Sequence, residues 1–419
     1  MKKLLAVGLA LLLLVLMLPM TAAAEGVDVD VKISTEADFR TALEKLTGLD
    51  SRVTVRLVDD ITISGESLSV SQGTLTILGQ GHTLCSSFHA ILSGSGNAVV
   101  NLGAADGSDT LTLTSTDETS CVVGMGGESV LNMYRGVTVK DSSAASQAGG
   151  IQLAGSAVFN MYGGMIDNCE NTIFSAAGGV VVDESAAFYM RGGAIRGCSG
   201  YFGGGVVVQN GTFVMEDGEI SGCTTTSANI GGGGVLVLGG ANFTMKGGTI
   251  TGNTTEGWGG GIFAYSGNVT VADGVALYNN TAKKEGDDLY NVGANITLGK
   301  TADGLVLSSC GHTIDGWYYD RINDQGATRW NCDEAVAGHA DAYDKTGELN
   351  SAECGLKAAH GELKSGGPVI IIVPDDTTDP TTTTEKPANP ATGANDFVGA
   401  AAALAVVSLL GMAVASRKK

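Results

Sequence analysis

FNMYGGMIDNC, residues 159–169, is written again as FYMRGGAIRGC at 188–198, FVMEDGEISGC at 213–223 and FTMKGGTITGN at 243–253. Two looser copies flank these four, LNMYRGVTVKD at 131–141 and VTVADGVALYN at 269–279. Their central apolar residues, Met133, Met161, Met190, Met215, Met245 and Val271, lie 28, 29, 25, 30 and 26 residues apart. A period in that range marks a solenoid, in which each repeat buries its apolar face only against its neighbours.

Registering the copies on the central residue produces columns. Two positions earlier stand Leu131, Phe159, Phe188, Phe213, Phe243 and Val269, and three later every copy has glycine, Gly136, Gly164, Gly193, Gly218, Gly248 and Gly274. Five later come Thr138, Ile166, Ile195, Ile220, Ile250 and Ala276, and eight later Asp141, Cys169, Cys198, Cys223, Asn253 and Asn279. A second short strand precedes each phenylalanine behind a glycine run: GGIQL, GGVVV, GGGVVV, GGGVLV and GGGIFA. Three short strands per turn, joined at corners where glycine takes positive φ at no steric cost, specify an all-β parallel β-helix with coils ~4.8 Å apart.

Working outward, residues 53–123 alternate apolar and polar in short bursts (VTVRLV, ITIS, LSVS, TLTILG, AVVNLG, TLTLTST), which predicts irregular opening coils. Ahead of them Thr35-Glu36-Ala37-Asp38 reads as a capping box, with Phe39, Ala42, Leu43 and Leu46 on one helical face and Gly48 as the stop. A helix placed there covers the first open coil, whose bare backbone otherwise templates aggregation. The expected layout is a cap over residues 25–50, the β-helix over 51–302 and a small terminal module over 303–373 ending in the strand PVIIIV.

The repeats resemble those of right-handed β-helix surface proteins, including polymorphic-membrane-protein-like repeats. Their GGA(I/L/V) and FxxN signatures take the form GGGV or GGGI and IxGC, IxGN or LYNN. The likeness covers about residues 50–300 and implies the right-handed fold; adhesins, lyases and hydrolases all use that scaffold.

The two ends speak of location. Lys2 and Lys3, an apolar run from 4 to 20 and Ala22-Ala23-Ala24 predict a secretory signal peptide over 1–24, the alternative being an uncleaved anchor. Residues 374–388 form a Thr/Pro-rich, extended linker. Asn389-Pro390-Ala391-Thr392-Gly393, 19 uncharged residues at 397–415 and the tail Arg417-Lys418-Lys419 follow in order. That trio resembles the cell-wall sorting signal of Gram-positive surface proteins, with Asn389 in place of the usual Leu of LPxTG. It implies sortase cleavage between Thr392 and Gly393, covalent attachment to peptidoglycan, and contact with the membrane only before sorting. A plain membrane anchor is the alternative.

The formal charge is −20, and trimming both ends removes five basic and one acidic residue, leaving −24. Nucleic acid is therefore excluded as a partner. No cofactor is expected.

Four constellations could carry chemistry. The column Cys169, Cys198, Cys223 reads as a buried ladder continued by asparagine, with a disulfide or a reactive thiol as alternatives. Cys310, His312, Cys332, His339, Cys354 and His360 have zinc-ligand chemistry but no knuckle spacing, so one disulfide competes with a metal. Outward beside the central Met column stand Tyr134, Tyr162, Arg191, Glu216 and Lys246, an exposed ladder. Arg191, Glu216 and Asp217 are the catalytic candidates if the chain cleaves polysaccharide.

The fourth is a stripe. After the glycine corner, Gln152, Val181, Val207, Leu236 and Phe263 point away from the core, with Tyr201, Phe202, Trp258 and Tyr265 beside them. Four successive apolar residues in one outward column predict either a partner surface, for a glycan or a host protein, or a face covered by loops 224–231 or the terminal module. The expected function is adhesion or ligand binding. A polysaccharide lyase or hydrolase and a passive stalk are the rivals.

Overall fold

The computed structural model describes residues 27–172, 176–300, 304–320 and 354–359. The signal segment, the strand at 368–373, the linker, the sorting motif and the apolar run at 397–415 lie outside them. Among the described residues no helix is long and apolar enough to cross a membrane.

The repeats stack as a parallel β-solenoid of about 10 turns. Each strand pairs in parallel with its copy one coil on, like residue over like residue: Leu131 with Phe159, Phe159 with Phe188, Phe188 with Phe213 and Phe213 with Phe243. All four phenylalanines are buried, and their rings stack with centroids 4.7, 4.7 and 5.0 Å apart. Met133, Met161, Met190, Met215 and Met245 are wholly buried above one another. Among the described residues the strands form sheets of 18, 11 and 6 members. The largest spans two faces of the coil because Ala187–Arg196 and Thr212–Ser221 run unbroken around the corner between them.

The six repeat glycines, Gly136 to Gly274, all have positive φ, between 77° and 102°. The glycine runs before the second strands have another cause. Gly178, Gly204 and Gly233 are not left-handed, but a Cβ on Gly204 would stand 2.3 Å from the Gly233 carbonyl oxygen and 2.5 Å from the Thr224 nitrogen. The two-residue strands of the third sheet, such as Thr224–Thr225, press their backbone against these corners, and only glycine leaves room.

Register differs from the expected columns at both looser copies. Ile166 pairs with Val139, not Thr138, and Ile250 with Leu277, not Ala276. Each looser copy carries one extra residue between its first two strands, so the inward positions slide by one. The cysteine column consequently runs through buried Asn253 and Asn280, leaving Asn279 in a left-handed turn.

Residues 53–123 are more regular than their spacing predicts. Val53 pairs with Leu75, Leu75 with Val100 and Val100 with Leu131, all inside the same core.

The helix α1 (Glu36–Leu43) packs on the first coil, burying Phe39 and Ala42. Thr35 caps it, its Oγ1 accepting from the Asp38 N–H at 3.1 Å, and it ends at Leu43, ahead of Gly48. Glu36 ties it down by accepting from the Ser64 N–H and hydroxyl, both at 2.9 Å, and from Arg40. These bonds, the Ser64 N–H foremost, hold its carboxyl at about 2.

At the other end Cys354–Ala359 lies antiparallel on Leu289–Asn291, and Gly316–Tyr319 on Cys354–Ala359, extending the 11-stranded sheet. Trp317 is buried there and donates Nε1–H to the Gly299 carbonyl at 2.9 Å.

Candidate functional site

The stripe is real and it is inside. Val181, Val207, Leu236 and Phe263 stack in register, followed by Tyr290. They form a second apolar core, separate from the one enclosed by the coil. Val207, Leu236 and Phe263 have no exposed surface, because Ala177, Phe202, Ile230 and Trp258 from the intervening loops fold over them. Of the two alternatives, an open partner surface and a face covered by loops such as 224–231, the structure shows the covered one, so Val181, Val207, Leu236 and Phe263 are not presented to a ligand. The loops, not the described terminal strands, supply the Phe202, Ile230 and Trp258 part of the roof. The loops can turn back because Gly232 and Gly259 take positive φ just before the strands. Trp258, Phe263 and Tyr290 pack with centroids 5.7–6.5 Å apart, and Lys284 Nζ sits 3.5 Å over the Trp258 ring. Tyr201 and Tyr265 are half-buried at the rim.

The charged column is exposed and largely self-satisfied. Tyr134 and Tyr162 stack at 5.4 Å, and the Arg191 guanidinium lies 5.3 Å over Tyr162 and 5.0 Å over Tyr189. Both faces of the Tyr162 ring are thus occupied, and its edge and hydroxyl remain for solvent. Arg191 also donates to Asn160 Oδ1 at 2.6 Å, the end of a ladder in which Asn160 donates to Asn132 and Asn132 to Asn101. Glu216 meets Arg191 at 3.4 Å and Lys246 at 4.0 Å. Asp217 accepts from the Gly218 N–H at 2.7 Å. Arg191 and Glu216 are therefore brought together, with Asp217 beside them in backbone register but bonded to the Gly218 N–H, on an outer face where exposed pairs contribute about 0.2–1 kcal/mol each.

A concave site lies elsewhere, at the corner between the 18-stranded and 6-stranded sheets. Ser115, Thr116, Asp117 and Glu118 of one coil, Asp141 to Ser143 of the next, Asn168 to Glu170 of the third, and Gly197 and Ser199 of the fourth line a cleft of about 650 Å³. The corner turns through one left-handed residue per coil, Asp141 (φ 51°), Asn168 (φ 50°) and Gly197 (φ 60°), residue types that tolerate this conformation. Four carboxylates, Asp117, Glu118, Asp141 and Glu170, line three consecutive coils.

Their environments differ. Asp141 accepts from Asn168 Nδ2 at 2.9 Å and pairs with Lys140 at 3.0 Å, which hold its carboxyl below the usual range. Asp117 accepts from the His89 N–H at 3.0 Å and from Thr119. This bond pins a left-handed His89 (φ 69°), beside which Phe88 stands 54% exposed. Cys169 forms part of the cleft wall.

The Cys169, Cys198 and Cys223 thiols are free and buried, donating to carbonyl oxygens of their own and adjacent coils. The Cys198 thiol and burial push Cys169 well above the ordinary thiol range. These cysteines act as small buried side chains, as the ladder reading expects.

Of the cysteine–histidine cluster near the C-terminus, Cys354 is buried and Cys310 is disulfide-bonded; Cys332, His339 and His360 lie outside the described residues. Among the described residues no three His, Cys, Asp or Glu side chains are grouped to hold a metal.

Sequence reasoning missed the cleft because its residues fall in the least regular part of each repeat. Asp141 was the one visible signal, since it breaks a column of cysteine and asparagine. The chain matches no known family, no curated protein and no solved structure.

Proposed function

We propose that this chain is a surface protein of a Gram-positive bacterium that binds a glycan, host or dietary, in the corner cleft between residues 115 and 199. The cleft supports this reading: an open trough crossing four coils, lined by serine, threonine, asparagine and carboxylate side chains, offers an extended sugar chain hydrogen-bonding groups along its length. An exposed Phe88 one coil before it offers a ring for sugar stacking. The flat tyrosine–arginine face offers less enclosure, and the apolar stripe is closed.

The rest of the reading follows from the sequence. The coil is right-handed, α1 serves as its N-terminal cap, and residues 303–373 close its far end as a small module. Residues 1–24 direct export. After sortase cuts between Thr392 and Gly393, the motif Asn389-Pro390-Ala391-Thr392 joins the chain to peptidoglycan, and the linker 374–388 holds the rod clear of the wall.

A second reading is polysaccharide cleavage, favoured by carboxylates on consecutive coils at the cleft, not by Arg191, Glu216 and Asp217. A hydrolase pairs an ionised carboxylate with a protonated one. Asp141, held low by Asn168 and Lys140, suits only the ionised role.

Incubating the full chain on a glycan array, and in parallel with pectins and glycosaminoglycans while following reducing and unsaturated ends, separates the readings. Retained glycan with no new ends is the expected result. New chain ends would establish the enzyme, and a chain that neither retains any glycan nor yields new ends would remove both readings.

A further inference from the structure

The last coil and the strand Cys354–Ala359 meet at a buried pair that the surface-binding role does not use. Lys357 Nζ lies 2.7 Å from Asp287 Oδ2, with side-chain exposures of 15% and 12%. Both partners are fixed by their neighbours. The other Asp287 oxygen, Oδ1, accepts from the Ala282 N–H at 2.9 Å, and the Asp287 N–H donates to Asp320 Oδ2 at 2.7 Å. On the lysine side, the Ala358 N–H donates to Asp288 Oδ2 at 2.8 Å, and Asp288 Oδ1 accepts from Asn280. Asp288 and Asp320 have no exposed surface.

We propose that Lys357 and Asp287 condense into an intramolecular isopeptide bond, tying the C-terminal strand covalently to the last coil. The geometry holds the amine against one carboxylate oxygen while a backbone N–H holds the other. Attack at Cγ requires the amine to swing from Oδ2 over the face of the carboxyl group, with the Ala282 N–H stabilising the oxygen on which charge develops.

The step balances without a co-reactant. Within the ion pair a proton passes from the ammonium to the carboxylate. The amine lone pair then forms the N–Cγ bond, Oδ1 takes up and returns the carbonyl electrons, and the Cγ–Oδ2 bond breaks. Oδ2 leaves as water with two of the three ammonium hydrogens, and the third stays on the amide nitrogen. Nothing is oxidised or reduced.

Two physical terms favour it. Holding an amine and an acid in contact is equivalent to an effective concentration on the order of 10⁵–10⁸ M, which offsets the usual disadvantage of amide formation in water. The product also removes a desolvated ion pair. That gain is opposed: burial lowers the Lys357 ammonium, but Asp287, Asp288 and Asp320 together hold it above its ordinary range. The dryness of the site is evident at Asp288, whose carboxyl burial pushes up to about 7 in spite of hydrogen bonds from Asn280 and Ala358.

Tryptic digestion of the full chain followed by mass spectrometry tests this. The sequence places Asp287 in the peptide 285–300 and Lys357 inside 346–364, where an acylated lysine resists cleavage. The expected result is one branched species joining 285–300 to 346–364, lighter than their sum by one water. It should vanish in Lys357→Arg and in Asp287→Ala. Recovery of the wild-type chain as separate linear peptides, cut after Lys357, would overturn the proposal whether or not either variant folds.

Discussion

Single residues carry the stack in two different ways, and substitutions should separate them. Phe188 is wholly buried between Phe159 and Phe213, so Phe188→Ala removes contacts on both sides and should cost about 3–5 kcal/mol in a denaturant titration. Gly204→Ala should also destabilise, because its Cβ would meet backbone atoms that cannot move aside. Gly240→Ala should leave the melting temperature unchanged, since its Cβ would meet nothing within 4 Å. Equal effects at the two glycines would refute the close-approach argument. Glu36 supplies a pH signature. Its carboxyl is held at about 2, against an ordinary 4.5, so its stabilisation is complete above about pH 4.5 and is withdrawn as pH falls toward 2. Glu36→Gln should flatten that part of the acid-denaturation curve.

Elements were legible in the sequence where each residue has one strict job. Phenylalanine, methionine and left-handed glycine recur because a coil repeats one set of backbone angles and one interior volume, and the structure keeps all three columns. Legibility failed where spacing alone was informative. One extra residue in each looser copy moved Val139 and Leu277 into the core, a slip that counting from the central residue cannot detect. The stripe was legible as a column but not as open or covered, for another reason. Alternation identifies Val181, Val207, Leu236 and Phe263 as outside the coil, but outside a coil is not the same as facing water. Phe202, Ile230 and Trp258, scattered among glycine-rich loops, made the roof without any periodic signal. Phe263→Asp should therefore unfold this region, by burying an unpaired charge, before it affects any ligand. Its far- and near-ultraviolet circular dichroism and its melting temperature would show this. A folded variant of native stability would mean that the roof opens.

The whole molecule divides into a rod whose interior is uniform and surfaces that are not. Interior columns run the length of the coil, whereas the corner cleft occupies only four coils, on three of which Asp117, Glu118, Asp141 and Glu170 come into line. Repetition fixes the scaffold, and departures from repetition are where a ligand can be told from the lattice of side chains around it. Glu118 and Glu170 are exposed and Arg191 is partly so, so the cleft and the flat face can be altered separately with the fold left intact. The most direct test compares glycan retention by the full chain, by Glu118→Ala/Glu170→Ala and by Arg191→Ala. The account predicts at least tenfold weaker retention for the double variant and native retention for Arg191→Ala. Undiminished binding by the double variant, or loss with Arg191→Ala alone, would contradict it.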